Sequence, residues 1–289
     1  MKKPLFTGVC TAMVTPFSND KVDYRTFTQL IDRQITSGVN AIVIAGTTGE
    51  SPTLTDLEKI SMFHKAKEIT QSKALVIAGT GSNSTAHSIK LSVAAEAAGV
   101  DALLVVSPYY NKATPDGIYQ HYLSIANSVD LPIIIYNVPS RTGLDIPVSV
   151  YQQLSELPNI IGVKEANPDI TKISKIIHAC GKEFNVWTGN DDQIVPAMSL
   201  GAQGVISVVS NVKPLETTEL CTAALNNDYI RASELQRQLL PLIDLLFAEV
   251  NPIPIKAAMK LIGLDCGKCR LPLTELSQGN LQKLQTLLQ

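Results

Sequence analysis

NIIGVKEAN, residues 159–167, decides the fold. Its branched apolar run, Ile160 to Val163, ends in Lys164, with Glu165 directly behind it. An uninterrupted run of this kind reads as a parallel strand covered on both faces, whose tip emerges at an active face. A strand buried that way offers an ammonium group no solvent along its length. A lysine at the tip therefore reaches a polar mouth, or sits in a pocket that lowers its pKa and leaves an amine able to attack a carbonyl. An isolated lysine there more often caps its strand by snorkelling. The neighbouring strands change that balance.

Outward from this stretch, similar runs recur. GVCTAMVTPF begins at Gly8, AIVIAG at Ala41, ALVIAGTG at Ala74, ALLVVSPYY at Ala102 and PIIIYNVP at Pro132. FNVWTG and GVISVVS follow, from Phe184 and Gly204. Helical patterns separate them. In residues 23–38, Phe27, Leu30, Ile31 and Ile35 share one face and Gly38 terminates the pattern. The next helix starts near Thr55, a cap three residues before Glu58. Eight buried-strand signals alternating with helices over roughly 200 residues predict an α/β protein, a (β/α)8 TIM barrel. An open doubly wound sheet needs fewer strands and usually a glycine-rich loop after the first. Here that position reads Thr15-Pro16-Phe17, and no GxGxxG or Walker segment occurs anywhere. After Ser210 strand signals cease, and residues 217–225, 230–247, 255–262 and 276–288 read as helices. Ala232, Leu235, Leu239, Ile243 and Leu246 mark one stripe. The expected organisation is a catalytic barrel over residues 1–227, closed by the first of these helices, and a C-terminal helical appendage over residues 228–289.

Composition excludes several classes of function. Charged residues make up 17% of the 289, with 24 basic against 26 acidic, so no basic bias points to nucleic acid or an anionic membrane. The five cysteines (Cys10, Cys180, Cys221, Cys266, Cys269) are odd in number and scattered, and Met1-Lys2-Lys3-Pro4 leads into only a short apolar stretch. A reduced, cytoplasmic protein is expected. Cys266-Gly-Lys-Cys269 has the spacing of half a zinc site, but no second pair accompanies it and no HExxH occurs. Ordinary thiols in a turn are the expectation, with no metal.

The carboxyl ends of barrel strands share one face, where catalysis resides. They carry Thr47-Thr48-Gly49-Glu50 after strand two, Pro108-Tyr109-Tyr110 after strand four, and Tyr136-Asn137 with Arg141 after strand five. Lys164 ends strand six, Gly189 strand seven, and Ser207 lies near the end of strand eight. Singly, each has a bland reading as a cap, a rim contact or a surface charge. Together they supply an amine nucleophile, phenols for proton transfer, hydroxyls and amides for a carboxylate, and a guanidinium for a second carboxylate. The only acidic residues at the tips are Glu50 and Glu165, which argues against glycoside hydrolysis.

On these motifs the chain resembles the 4-hydroxy-tetrahydrodipicolinate synthases (dihydrodipicolinate synthases) of the pyruvate-dependent class I aldolase and lyase superfamily. The resemblance runs through GVCTAMVTPF, GTTGES, AGTGSNST, SPYYNK, YNVPSRTG, IIGVKEA, GVISV and NPIPIKAAM. Several are shared with N-acetylneuraminate lyases and keto-deoxy-sugar aldolases. YNVPSRTG discriminates, because the synthases carry an arginine there, which falls on Arg141. The resemblance implies that Lys164 forms a Schiff base with pyruvate, and that the resulting enamine adds to L-aspartate 4-semialdehyde. The product is (2S,4S)-4-hydroxy-2,3,4,5-tetrahydrodipicolinate, on the diaminopimelate route to lysine. It implies a proton relay of Tyr136, Thr47 and Tyr110, the last reaching across a dimer interface. Thr48, Ile206 and Gly189 would bind pyruvate, and Arg141, in a largely buried site, would bind the semialdehyde carboxylate. No cofactor beyond the lysine is implied. A homo-oligomer is, most simply a tetramer built as a dimer of dimers.

One part of the family pattern departs. Lysine-inhibited synthases bind lysine near the dimer interface. Ser51, Asn83 and Tyr109 keep that cleft here, but Asp56 and Lys59 stand where the inhibited enzymes carry histidines or similar ligands, and His87 where they carry a glutamate. Weak regulation by lysine is the expectation, because Lys59 repels the ligand's ammonium and a carboxylate partner is lost. Two other readings compete with this one. A retro-aldol lyase of sugar acids would need a polyol-binding rim in place of Arg141. A non-catalytic sensing barrel would be expected to have lost Lys164, Tyr136 or Thr47.

Overall fold

Each of the eight apolar runs forms a strand in the computed structural model, which describes residues 4–288. These are β1 (Gly8–Ala12), β2 (Ala41–Ile44), β3 (Leu75–Gly79), β4 (Ala102–Val106), β5 (Ile133–Asn137), β6 (Ile160–Glu165), β7 (Asn185–Thr188) and β8 (Gly204–Ser207). Each pairs in parallel with its neighbours in sequence, and β1 also pairs with β8, closing a barrel. The stretch Met1 to Lys3, part of the argument against a secretory segment, lies outside the described residues.

Helices α1 (Tyr24–Thr36), α2 (Asp56–Thr70), α3 (Thr85–Ala97), α4 (Pro115–Ala126), α5 (Pro139–Thr142) and α6 (Val148–Leu154) wrap the first half. The second half carries α7 (Thr171–Cys180), α8 (Ile194–Ser199), α9 (Pro214–Leu225), α10 (Tyr229–Leu246), α11 (Ile253–Leu261) and α12 (Gln278–Leu288). Helix α2 begins with the expected capping box. The Glu58 amide donates to Thr55 Oγ1 at 3.2 Å, and the Thr55 amide donates to Glu58 Oε2 at 2.9 Å.

Strand alternation divides the apolar residues into two layers. Cys10, Val43, Ile77, Leu104, Ile134, Tyr136 and Ile206 fill the barrel interior, and Phe6 stacks on Trp187 at 4.8 Å. Val9, Ile42, Val76, Val105, Ile135, Val163 and Val205 face outward and pack under the helices. Closure needs glycine at one point. A Cβ on Gly204, whose φ is +148°, would lie 1.9 Å from the carbonyl oxygen of Gly8.

Two runs end earlier than their apolar character implies. In GVISVVS the strand stops at Ser207, and Val209–Asn211 turns in a 3-10 helix. The buried Asp191 causes this: its Oδ2 accepts from the amides of Val208 and Val209, both at 2.9 Å, so neither amide continues the sheet. In GVCTAMVTPF the chain leaves the barrel after Ala12, and Phe17–Ser18 pairs antiparallel with Lys21–Val22.

Helix α9 packs against β1, and α10 packs against α9. The segment between α11 and α12 folds back over the barrel. Arg270 forms a fork with Glu58, Nη2 to Oε1 at 2.5 Å and Nη1 to Oε2 at 2.9 Å, and its guanidinium lies 4.3 Å from the centroid of the Phe17 ring. Beneath it, Lys256 and Glu50 form a buried ion pair at 2.6 Å, and Glu50 Oε2 accepts from the Arg270 amide at 2.8 Å. Hydrogen bonds from Arg270 hold the Glu58 carboxyl down at about 2. A depressed carboxylate stabilises the fold above its unfolded pKa of about 4.3, and that contribution disappears as pH falls toward 2. Arg270→Ala should therefore cost about 2 kcal/mol at neutral pH, and the gap from wild type should narrow below about pH 4.5. Urea denaturation at pH 7 and at acid pH measures both, and a gap that stays constant with pH contradicts the assignment.

Candidate active site

The register of β5 and β6 sets the site. Tyr136 pairs with Lys164, and Lys164 with Trp187. Both Tyr136 and Lys164 therefore point into the barrel near its carboxyl end, and Lys164 Nζ lies 4.2 Å from the centroid of the Tyr136 ring. Lys164 is 5% exposed, and among the described residues it makes no ion pair within 4 Å. Gly189 makes room for it: a Cβ there would lie 2.9 Å from Lys164 Cε and 2.8 Å from Ala166 Cβ. Ile206 belongs to the same interior layer as Tyr136 and Trp187.

Residue 165 faces the other way, as the alternation of a strand requires. Glu165 is buried on the helix side. Its Oε1 accepts from Asn137 Nδ2 at 2.7 Å and from the Asn167 amide at 2.8 Å, and its Oε2 accepts from the Tyr151 hydroxyl at 3.2 Å. Lys172 stands 3.8 Å from Glu165 and also pairs with Asp145. Burial pushes the Glu165 carboxyl up, and Lys172 pulls against it. This network locks the end of β6 from behind. Glu50 is committed to Lys256. Neither strand-tip glutamate faces the interior as a free acid.

A cavity of about 340 Å³ opens at the barrel mouth, and Thr47, Tyr136 and Arg141 line it together. It continues past Tyr109 to Ser51, Asp56, Lys59 and His87, so the mouth and the cleft read from the sequence form one space. Asn83 stands outside that lining, its carbonyl accepting from Asn111 Nδ2 at 2.9 Å. Thr48 is 2% exposed and accepts a hydrogen bond from Asn251 Nδ2 at 3.0 Å.

Arg141 corrects an expectation. It is exposed rather than largely buried, and its one side-chain hydrogen bond among the described residues is from Nη2 to the carbonyl of Asn251, at 3.0 Å. The reason is local: α5 is a four-residue helix on the rim, ended by Gly143 at φ +67°, so the guanidinium overhangs the cavity. Tyr110 is not brought to the cavity of its own chain. It is 89% exposed, with a left-handed φ of +72°.

In the cleft, His87 Nε2 and Asp56 Oδ1 are 2.8 Å apart, and Lys90 approaches Asp56 at 3.4 Å. The contact with His87 holds the Asp56 carboxyl below its usual range. Lys59 is 6% exposed, its ammonium has no hydrogen bond or ion pair within 4 Å among the described residues, and burial lowers its pKa. Three participants escaped the sequence reading: Asn251, Asp191 and Lys172. For Asn251 the available signal was the NPIPIK segment, whose asparagine precedes a proline in an otherwise apolar run.

A barrel with a buried lysine at a strand tip, set over a tyrosine ring that lines the cavity at its mouth, defines a lyase of the class I aldolase type. Residues 5–289 match the model of the dihydrodipicolinate synthetase family. The 4-hydroxy-tetrahydrodipicolinate synthase of Acetivibrio thermocellus is 46% identical over 288 residues, covering 100% of this chain and 98% of that one. The dihydrodipicolinate synthase of Thermotoga maritima superposes with a TM-score of 0.97 at 42% identity, covering 99% and 98% of the two chains. The synthase of Cyanidioschyzon merolae with lysine bound gives 0.96 at 37% identity, covering 99% and 98%. The chain belongs to the dihydrodipicolinate synthetase family.

Lys172→Met should strand the Glu165 charge behind the site and cost about 3 kcal/mol of stability in urea denaturation. Adding Glu165→Gln should recover most of that loss. A double variant as unstable as the single one would show that the cost lies in packing.

Proposed function

We propose that this chain condenses pyruvate with L-aspartate 4-semialdehyde to 4-hydroxy-tetrahydrodipicolinate, through a Schiff base on Lys164. The observation that carries the reading is a nearly buried lysine, over Tyr136 at the mouth of a closed barrel, with no ion pair within 4 Å among the described residues. The Nζ lone pair attacks the keto carbon of pyruvate, and water leaves as the iminium forms. The iminium draws electrons from the methyl carbon, whose proton passes to the relay of Tyr136, Thr47 and Tyr110. The enamine adds to the aldehyde carbon of the semialdehyde, and the relay returns a proton to the new alkoxide. The substrate amine then displaces Lys164, closing the ring and freeing the enzyme. One water is released overall, and no cofactor beyond the lysine takes part.

Thr48 binds the pyruvate carboxylate, Ile206 walls the pocket, and Gly189 leaves the space that the Lys164 side chain needs. Tyr110 serves a second copy of the chain, a role supported by its 89% exposure. The assembly is a homo-oligomer, a dimer of dimers. A barrel over residues 1–227 carries the chemistry and residues 228–289 brace it, as the contacts of Asn251, Lys256 and the Arg270 amide with the GTTGE loop support. The enzyme works in the cytoplasm, in keeping with five free cysteines.

Borohydride added with pyruvate should attach mass to the peptide that contains Lys164. A label elsewhere, or none, would overturn the reading, and Lys164→Ala should abolish most turnover while the fold persists.

Arg141 holds the carboxylate of the semialdehyde. Removing a hydrogen bond to a charged group costs about 1.5–3 kcal/mol, so Arg141→Ala should lower kcat/KM for the semialdehyde roughly ten- to hundredfold. Trapping of pyruvate should survive, because this half-reaction does not touch Arg141. An enzyme cleaving N-acetylneuraminate faster than it condenses the semialdehyde would instead support the sugar-acid lyase.

Free lysine regulates the enzyme weakly. Asp56 is already engaged by His87 and Lys90, and the buried Lys59 carries no counter-charge of its own to offer the ligand's ammonium. Losing a charge-assisted pair weakens binding roughly ten- to more than a hundredfold. Half-inhibition below a millimolar would refute this, and a His87→Glu, Lys59→His double variant should gain lysine sensitivity while still condensing its substrates.

A further inference from the structure

We propose that Asn251 is a positioning residue that turns the Thr48 hydroxyl into a dedicated donor for the pyruvate carboxylate. The inference rests on the role given to Thr48 above. A hydroxyl has one proton and two lone pairs. Asn251 Nδ2 donates into Thr48 Oγ1 at 3.0 Å, so that direction is closed to the Thr48 proton. No protein acceptor takes it among the described residues. The proton is left for a ligand.

The orientation of the Asn251 amide sets this direction. The residue is 5% exposed, and its Oδ1 is buried without a partner. Nδ2, rather than Oδ1, faces Thr48 Oγ1, so the contact runs from the amide to the hydroxyl. The backbone of Asn251 does a second task. Its carbonyl accepts from Arg141 Nη2 at 3.0 Å, which occupies one N–H of the guanidinium and leaves others free. A single residue of the C-terminal segment thus touches the groups assigned to both substrate carboxylates, one through its side chain and the other through its main chain. Donors fixed before the ligand arrives need no reorganisation when it binds.

That division of labour makes the inference testable. Asn251→Ala removes the donor to Thr48, and the nearly isosteric Asn251→Asp places an acceptor there that captures the hydroxyl proton. Both keep the backbone carbonyl that holds Arg141. In each variant, the pyruvate concentration giving half-maximal borohydride trapping at Lys164 should rise tenfold or more. KM for the semialdehyde and kcat at saturating pyruvate should change less than about threefold, since neither depends on the Thr48 contact. Asn251→Ala added to Thr48→Val should weaken pyruvate binding no further than Thr48→Val alone. Unchanged half-saturation in folded variants would overturn the inference, as would additive effects in the double variant. An equal rise in both KM values with a fall in Tm would also overturn it, since a loosened segment explains that pattern. If Asn251→Ala does not fold, Asn251→Asp and the Thr48 pair carry the same decision. Failure to trap pyruvate on wild-type Lys164 would overturn the underlying reading and this inference with it; trapping in the wild type isolates the inference.

Discussion

Closure of the sheet between β1 and β8 is the constraint on which the rest of the molecule depends. The Gly8 amide donates to the Gln203 carbonyl at 2.9 Å, and Gly8 and Gly204 meet with no space for a side chain between them. Once that seam closes, the sheet has no edge and every strand end points to one rim. The interior becomes an apolar column from Phe6 and Trp187 up to Tyr136. A lysine at the top of such a column has packing beneath it and, beside it, the Tyr136 ring that lines the cavity. Position along the strand, more than any single contact, gives Lys164 its chemical character.

The alternation of β6 then separates two charges adjacent in sequence. Lys164 faces inward and Glu165 outward, so the strand itself prevents them from neutralising one another. The outward carboxylate finds Asn137, Tyr151 and Lys172, and this polar cluster pins the strand end whose inner face carries the amine. Asp191 works in a similar way on β8. By taking two amides away from the sheet it ends the strand and fixes the turn that follows Ile206. Buried carboxylates on the helix side thus hold the strand ends that carry Lys164 and Ile206.

Most of the fold was legible because both-face burial writes itself as uninterrupted Val, Ile, Leu and Ala runs, and eight such runs admit few closures. The Thr55–Glu58 cap was equally readable, since its logic spans three residues. Strand ends were less so. Val208 and Val209 look like strand on apolar character alone, and only a carboxylate folded in from residue 191 explains why they leave. The exposure of Arg141 was not legible, because it comes from a four-residue rim helix. Tyr110 has a left-handed backbone that no local pattern announces. Asn251 was the hardest, because its partner Thr48 lies 203 residues away. Pattern within a segment reports burial and says nothing of which distant loop a polar side chain will meet.

The dependence of the GTTGE loop on the end of the chain bears on how the protein is made. Thr48 waits for Asn251, and Glu50 waits for Lys256 and for the Arg270 amide. During synthesis the barrel strands are complete once Ser207 has left the ribosome, yet the loop beside the cavity then lacks all three partners. At that stage Glu50 has neither cation nor amide to satisfy it, so the loop has reason to stay solvated. The nascent barrel therefore passes through a stage in which Lys164 is in place and the GTTGE loop is not, and that rim matures only after nearly the whole polypeptide has emerged.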